Sequence, residues 1–512
     1  MNSPDIGEVQ GSGALFASGA PFRIIAPTSG MDIAVLPTST DADVDAAFAM
    51  ARSAQRRWAH WSISARAAVF LRFHDLLLQR RHEVLDLVQA ETGKARKDAN
   101  EEVLDVCLVA RHYARDAHRL LRPRRYLGAF PLIVGTEVVR HPKGVVGVIS
   151  PWNYPLTLAR SDAIPALIAG NAVVIKPDQQ TTLSALKVAD LLREAGLPED
   201  LFAVVAGDGA TVGPMVVDRA DFIMFTGSTR VGREVAARCG ERLIDFSMEL
   251  GGKNAMIIRA DADPEKAAAT AVRACFSNAG QLCMSVERMY VVQPLFDEFL
   301  AAFVRRTQAL RLSADIGWAG DVGSLISAAH LQRVSDHVAE AVSNGARVLV
   351  GGRARPEVGP YFYEPTVLTR VDESMLLCRQ ETFGPVVAVY PVATDAEAIA
   401  KANDSDYGLN ASVLSADVST AEAIARQLHA GMVNINEGYA PGWASKRAPM
   451  GGVGASGMGR RHGDDGMLKY TDAQTIATQR VLSMGAPAGW TEERWGNLLA
   501  TSLGVMKRMG LK

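Results

Sequence analysis

The sequence predicts an α/β protein built on a doubly wound, nucleotide-binding layout, and three observations carry that expectation. From residue 145, short β-branched runs alternate with helical segments: VVGVIS (145–150), AVVIKP (172–177), FAVVAG (202–207), DFIMFTG (221–227) and NAMIIRA (254–260). Apolar strands of that length separated by helices indicate βαβ units and a parallel sheet covered on both faces. Glycine-bearing turns follow several of these strands, where a doubly wound fold places its ligands. Finally, 512 residues exceed one core and suggest two or three domains.

The segments before and after follow the same logic. The first ~120 residues read as helices packed on a larger body, with Asp41 or Asp43 as the expected cap of the first and a second helical run ending near Gly93. Another α/β stretch runs from about 270 to 440, with strands RMYVV, ARVLVGG and PVVAVYPV. After TIATQRV comes an amphipathic tail carrying Trp490, Trp495, Leu498, Leu499 and Met506, expected to pack on the protein or a neighbouring subunit rather than on a membrane.

Composition excludes other classes. Lys+Arg of 54 against Asp+Glu of 56 leaves a net charge of −2, with no clustered basic surface for nucleic acid. The opening residues lack the basic start and apolar run of a secretory leader, and no apolar stretch reaches the ~18 residues of a spanning helix. Five cysteines (Cys107, Cys239, Cys275, Cys283, Cys378) form neither a disulfide framework nor a zinc pattern. The expectation is a cytoplasmic protein with free thiols and no metal.

The one G-x-G-x-x-G match, Gly452 to Gly457, follows no strand and opens no helix, so it reads as a decoy. Better candidates lie at strand ends: Gly207 and Gly209 after FAVVAG, Gly227 and Ser228 after DFIMF, and Lys176 closing AVVIK. Small residues at a helix start let a phosphate approach free N–H groups.

Four stretches decide the chemistry: PWNYP (151–155), MELGGKNA (248–255), FSNAGQLC (276–283) and ETFGPV (381–386). Together, and in this order, they resemble the NAD(P)-dependent aldehyde dehydrogenase superfamily over about residues 20–480. Glu249 and Cys283, 34 residues apart, have the spacing typical of that family. The resemblance implies Cys283 as nucleophile, Asn153 with the Cys283 N–H as oxyanion donors, and Glu249 as general base. It also implies cofactor contacts from Trp152, Lys176, Pro177, Asp178, Gln179, Gly209, Gly227, Ser228, Leu250, Glu381 and Phe383.

The family fold implies a Rossmann-type cofactor domain (1–123 and 143–250), an α/β catalytic domain (251–440) and a small β oligomerisation extension (124–142 and 464–482), followed by the tail (483–512). Exposed edge strands in that extension imply a homodimer or homotetramer. Gln179 stands where many NAD-preferring members carry a glutamate, which favours NADP while leaving NAD open. HPKGVVGVISPWNYPLTLA, SDAIPALIAGNAVVIKPDQQTT and GGVGASGMGRRHG look most like the bacterial succinate-semialdehyde dehydrogenase branch. The serine position of that activity matches Ser456, while its two arginine positions fall at Ser161 and Ser277, which leaves Arg160, adjacent to Ser161, to substitute for an arginine at the distal carboxylate. An apolar aliphatic or aromatic aldehyde is the alternative, and CoA-acylating or non-catalytic relatives are disfavoured by Glu249, Asn153 and Cys283 occurring together.

Overall fold

The computed structural model describes residues 13–127, 134–480 and 485–510. Twelve of the 22 opening residues on which the leader reading rests, and residues 128–133, 481 and 482 of the expected extension, lie outside them.

Five parallel strands form the first sheet: β1 (Val145–Ile149), β2 (Ala172–Lys176), β3 (Phe202–Val204), β4 (Phe222–Thr226) and β5 (Asp245–Glu249). Their spatial order is β5-β4-β1-β2-β3, with the short strand Gly457–Met458 antiparallel on β5. Strands β1 to β4 are buried throughout, which is why they read as continuous apolar runs rather than alternating ones. Strand order reverses between β1 and β4, so the crevice outside their carboxyl ends is the binding position of a doubly wound sheet. Residues 150–153 and the Gly227–Ser228 turn bound that crevice.

The second sheet contains β6 (Asn254–Ile258), β7 (Val286–Val292), β8 (Arg347–Val350), β9 (Thr366–Thr369), β10 (Val386–Val392), β11 (Asn410–Leu414) and β12 (Met432–Ile435). Its order is β8-β9-β10-β7-β6-β11-β12, parallel except for the β8–β9 pair. Leu250 to Lys253 pass directly from β5 of one sheet to β6 of the other.

A third, antiparallel sheet joins Thr471–Gln479 to Val134–Pro142 over nine register pairs, and Val134–Pro142 to Arg124–Leu127. Its outer strands leave Tyr126, Leu127 and Ile476 exposed. The tail helix Glu492–Arg508, capped by Thr491, buries Trp495 and exposes Leu498, Leu503 and Val505. Among the described residues no helix is long and apolar enough to cross a membrane.

Helices α1 (Asp41–Ala59), α2 (Ile63–Gln79), α3 (Arg81–Thr92) and α4 (Arg96–Leu121) precede the first sheet. The cap of α1 is Thr40, not Asp41 or Asp43. Asp43 occupies the third helical position and accepts from the Thr40 N–H at 2.8 Å while Thr40 Oγ1 accepts from the Asp43 N–H, a reciprocal capping box. The run expected to end near Gly93 does so, with Gly93 left-handed at φ 69°, but it is two helices broken at Arg80.

Helix α5 (Pro155–Ile168) is buried along its whole length and opens with Pro155, which lacks the N–H that a first turn cannot satisfy. The free amides of Leu156 and Thr157 donate to Glu102 Oε2 of α4 at 2.8 and 3.1 Å. Glu102 Oε1 pairs with Lys94 Nζ at 2.5 Å, and both side chains are fully buried. Breaking a buried pair strands the surviving charge and typically costs about 3–5 kcal/mol. Glu102→Gln is therefore expected to lower unfolding stability by that order, read as a lower urea midpoint with an unchanged slope.

Candidate active site

Cys283 lies on the loop between the 3-10 turn Ser277–Gly280 and β7. Asn278 and Ala279 are left-handed at φ 50° and 53°, a conformation costing roughly 1–2 kcal/mol per non-glycine residue. Side chains hold that loop in place. Asn153 Nδ2 and Asn278 Nδ2 both donate to the Gln281 carbonyl, at 3.0 and 3.1 Å, and Asn278 Nδ2 also reaches the Asn153 carbonyl at 3.0 Å. Gln281 in turn donates to the Ser324 carbonyl at 3.2 Å and accepts from the Ile326 N–H at 2.9 Å. Gly280, at φ 70°, faces the Gly384 carbonyl so closely that no side chain fits.

Lys94 Nζ adds a bond of 2.6 Å to the Asn153 carbonyl. One N–H of the buried Asn153 amide is thus taken by Gln281, leaving the other for a substrate oxygen.

The glycine pair 251–252 explains how the second wall closes. A Cβ on Gly252 would lie 2.7 Å from the Cys283 carbonyl, and one on Gly251 would strike the Glu381 carboxylate. Glu381 instead accepts from the Gly252 N–H at 2.7 Å. A second buried lysine–glutamate pair, Lys253 with Glu287, fixes this side. Glu287 accepts from the Thr382 and Phe383 N–H groups, each at 2.9 Å.

Cys283 lines two cavities. One, of about 240 Å³, is bounded by Trp152, Asn153, Thr226, Gly227, Ser228 and Leu250, with Glu381, Phe383, His330 and Arg333 opposite. It occupies the switch-point crevice, and its donors suit a dinucleotide. Gly227 permits close approach beside the Phe225 ring, Ser228 caps helix α6 (Thr229–Glu241), and Gly232 brings that helix against Leu250. Lys176 ends β2 near Gly209, whose absent Cβ would be 3.7 Å from its Nζ. Pro177 is buried beside it, and Asp178 turns its carboxylate inward to accept from the Gln180 N–H at 3.0 Å. Gln179 is half-buried. The other cavity is a narrow funnel lined by Glu101, Tyr154, Thr157, Leu158, Leu282, Met284, Tyr439 and Trp443.

Burial sets the charge states. It pushes the Glu249 carboxyl up to about 7, against the pull of Arg461 and Lys469. It pushes the Cys283 thiol up to about 12, with Glu249 and Glu381 adding and Arg461 opposing. The Glu381 carboxyl rises to about 7 for the same reason. His330, drawn down to about 4 by burial, is neutral and donates from Nε2 to the Phe383 carbonyl at 2.7 Å.

The two residues expected at the distal carboxylate are not in the funnel. Arg160 is fully buried on the opposite face of α5, donating to the Ser184 and Ala185 carbonyls at 3.3 and 2.8 Å and lying over the Phe202 ring. Leu158, two residues earlier, faces the funnel, and two residues rotate a helix by about 200°. Ser456 is also buried; its Oγ accepts from the Gly408 N–H and its carbonyl from the Leu250 N–H, both at 3.0 Å. Ser161 and Ser277 bond to Asp105 and to the Arg273 carbonyl. The Gly452–Gly457 decoy forms two short strands rather than a loop opening a helix.

Sequence reasoning missed His330 and Arg333 on helix α7 (Ala328–Ser343), whose spacing is that of any amphipathic helix. It also missed the funnel residues. Tyr154 and Leu282 carried a signal, sitting inside PWNYP and FSNAGQLC.

Residues 16–476 match the model of the aldehyde dehydrogenase family. A relative in Mycolicibacterium smegmatis, named "putative succinate-semialdehyde dehydrogenase" with NADP(+) in its name, is 54% identical over 481 residues, 94% of this chain and 93% of that one. A relative of the same name, numbered 2, in Mycobacterium tuberculosis is 51% identical, covering 94% and 93%. Betaine aldehyde dehydrogenase from Staphylococcus aureus, solved with NAD+, superposes with a TM-score of 0.86 at 30% identity, covering 92% of this chain and 93% of that one. The chain belongs to the aldehyde dehydrogenase family.

Cys107, Cys239, Cys275 and Cys378 are buried, and only Cys283 is partly open. Peptide mapping after iodoacetamide treatment of the folded protein is expected to find Cys283 labelled first, at a rate that climbs steeply with pH because the thiol starts protonated.

Proposed function

We propose that the protein oxidises succinate semialdehyde to succinate with NADP(+), using Cys283 as nucleophile, Asn153 as oxyanion donor and Glu249 as general base. The observation that carries the mechanism is the position of Cys283 between the switch-point crevice and a funnel, with the Glu249 carboxyl near 7 in its electrostatic range. Cys283 Sγ forms a bond to the carbonyl carbon as the thiol proton leaves, by way of the Glu249 carboxylate. The oxyanion lies against the free Asn153 N–H and the Cys283 N–H, donors of a kind worth about 10²–10³ in rate. A nicotinamide held in the crevice would supply the acceptor for the C–H hydride that leaves as the oxyanion collapses to the thioester of Cys283. Glu249 then takes a proton from water as it attacks the thioester, and the C–S bond breaks to release the acid.

Gln179 supports the choice of cofactor, since a neutral amide does not repel a 2′-phosphate, and Asp178 is occupied in capping its own turn. The names of the mycobacterial relatives support the substrate. One observation favours a second reading, an apolar or aromatic aldehyde. The funnel walls are Tyr154, Leu158, Leu282, Met284, Tyr439 and Trp443, and Arg273, beside Tyr439, is tied to Glu101 at 3.1 Å and Glu437 at 3.6 Å. We further propose a cytoplasmic homodimer or homotetramer assembled through the open strands of the third sheet.

Absorbance at 340 nm with succinate semialdehyde, hexanal and benzaldehyde, under NADP(+) and NAD(+), tests the reading. Succinate semialdehyde with NADP(+) is expected to turn over fastest, and Cys283→Ala to abolish it. Turnover of the apolar aldehydes alone would select the second reading. Turnover is expected to rise with pH through about 7, because Glu249 accepts protons only as the anion, and Glu249→Gln should remove that limb with a loss of about 10²–10⁴-fold.

A further inference from the structure

Beneath Glu249 lies a buried cluster of charge whose count is unbalanced. Arg461, 3% exposed, donates from Nη2 to Thr226 Oγ1 at 2.6 Å and pairs with Asp162 Oδ2 at 2.7 Å. Lys469 Nζ approaches the other oxygen of the same aspartate at 3.4 Å, and Tyr470 Oη approaches it at 3.5 Å. Two cations therefore share one buried carboxylate. A buried charge without a counterion is costly, so the excess positive charge calls for a second anion.

Geometry supplies Glu249. Thr226, to which Arg461 is bonded, is the register partner of Glu249 on the adjacent strand. The backbone of Arg461 pairs in both directions with Met450, at 2.8 and 2.6 Å. That pairing lays Gly451 against the carboxylate, where a Cβ would be 3.1 Å from Glu249 Oε1. Glu249 Oε1 and Arg461 Nε are both buried and both lack a hydrogen-bond partner.

We propose that Arg461 is a positioning residue for the reaction: its guanidinium, locked between Thr226 and Asp162, is the cation that favours the ionised form of Glu249 and, beyond it, of Cys283. The charged groups facing Glu249 are Arg461, Lys469, Asp162 and Arg460. Those facing Cys283 are Arg461, Glu249 and Glu381. Arg461 acts on both, so a single side chain opposes the desolvation of nucleophile and base together. The inference rests on the roles proposed above for those two residues.

The test uses two readouts on Arg461→Met, Arg461→Lys and Asp162→Asn: the alkylation rate of Cys283 by iodoacetamide at pH 8, and the pH midpoint of turnover. An opposite charge at close range shifts a carboxyl or thiol by about 1–3 units, and each unit is tenfold in anion fraction below the midpoint. Arg461→Met is therefore expected to slow Cys283 alkylation by about tenfold or more and to move the turnover midpoint up by about one unit. Arg461→Lys should restore both most of the way. Asp162→Asn, which removes the competing anion, should move both in the opposite sense, and it is the deciding variant if Arg461→Met does not fold. Lower turnover with alkylation rate and midpoint both unchanged would overturn the proposal and leave Arg461 a structural residue. Alkylation reports on the thiol whether or not it is the nucleophile. Retained turnover in Cys283→Ala would thus sink the proposed mechanism without being confused with this outcome.

Discussion

The ion pair between Lys94 and Glu102 is the contact on which the rest of the site depends. Each partner does two jobs. Glu102 closes the amino end of α5, and Lys94 holds the Asn153 carbonyl. Fixing that carbonyl orients the asparagine side chain, which in turn grips the Gln281 carbonyl in the loop before Cys283. One buried pair thus runs from helix packing to the reactive sulfur through three residues. Its counterpart, Lys253 with Glu287, does the same for the opposite wall by holding the amides of Thr382 and Phe383. Buried pairs seldom add net stability over an apolar replacement. Here their effect is to define where two loops sit.

Between those walls the backbone comes closer than side chains would allow. Gly251 and Gly252 leave room for the Glu381 carboxylate and for the Cys283 carbonyl, in the four residues that carry the chain from one sheet to the other. The switch point of the first sheet gives a crevice, and the short crossing lines it with Leu250 and Gly251. Topology accounts for the location, and the glycine pair accounts for the fit.

Much of this was legible in the sequence, for reasons that are local. Buried parallel strands announce themselves as unbroken apolar runs, and Asn153, Glu249 and Cys283 sit in short stretches of distinctive composition. Legibility failed wherever phase or distance decided the matter. Arg160 is offered for the distal carboxylate by its neighbourhood to Ser161, yet its helical phase turns it away from the funnel, over Phe202. Ser456 was assigned by position along the chain, but it closes a turn onto Gly408. Arg461 lies over two hundred residues from Thr226, and nothing in GMGRRHG distinguishes its buried side chain from that of Arg460. Thr40 was overlooked because two aspartates beside it were equally good caps on composition, and only the geometry separates the cap from its box partner.

Cys283 borders both cavities, which makes the sulfur a partition rather than the end of a tunnel. A small electrophile entering through the aromatic funnel meets the thiol without displacing anything held at the switch point. A reagent built on a nucleotide reaches the same atom from the other side. The two approaches share a target and no walls except Asn153 and Leu158, so covalent ligands for this cysteine divide into two families whose selectivities are set by unrelated surfaces.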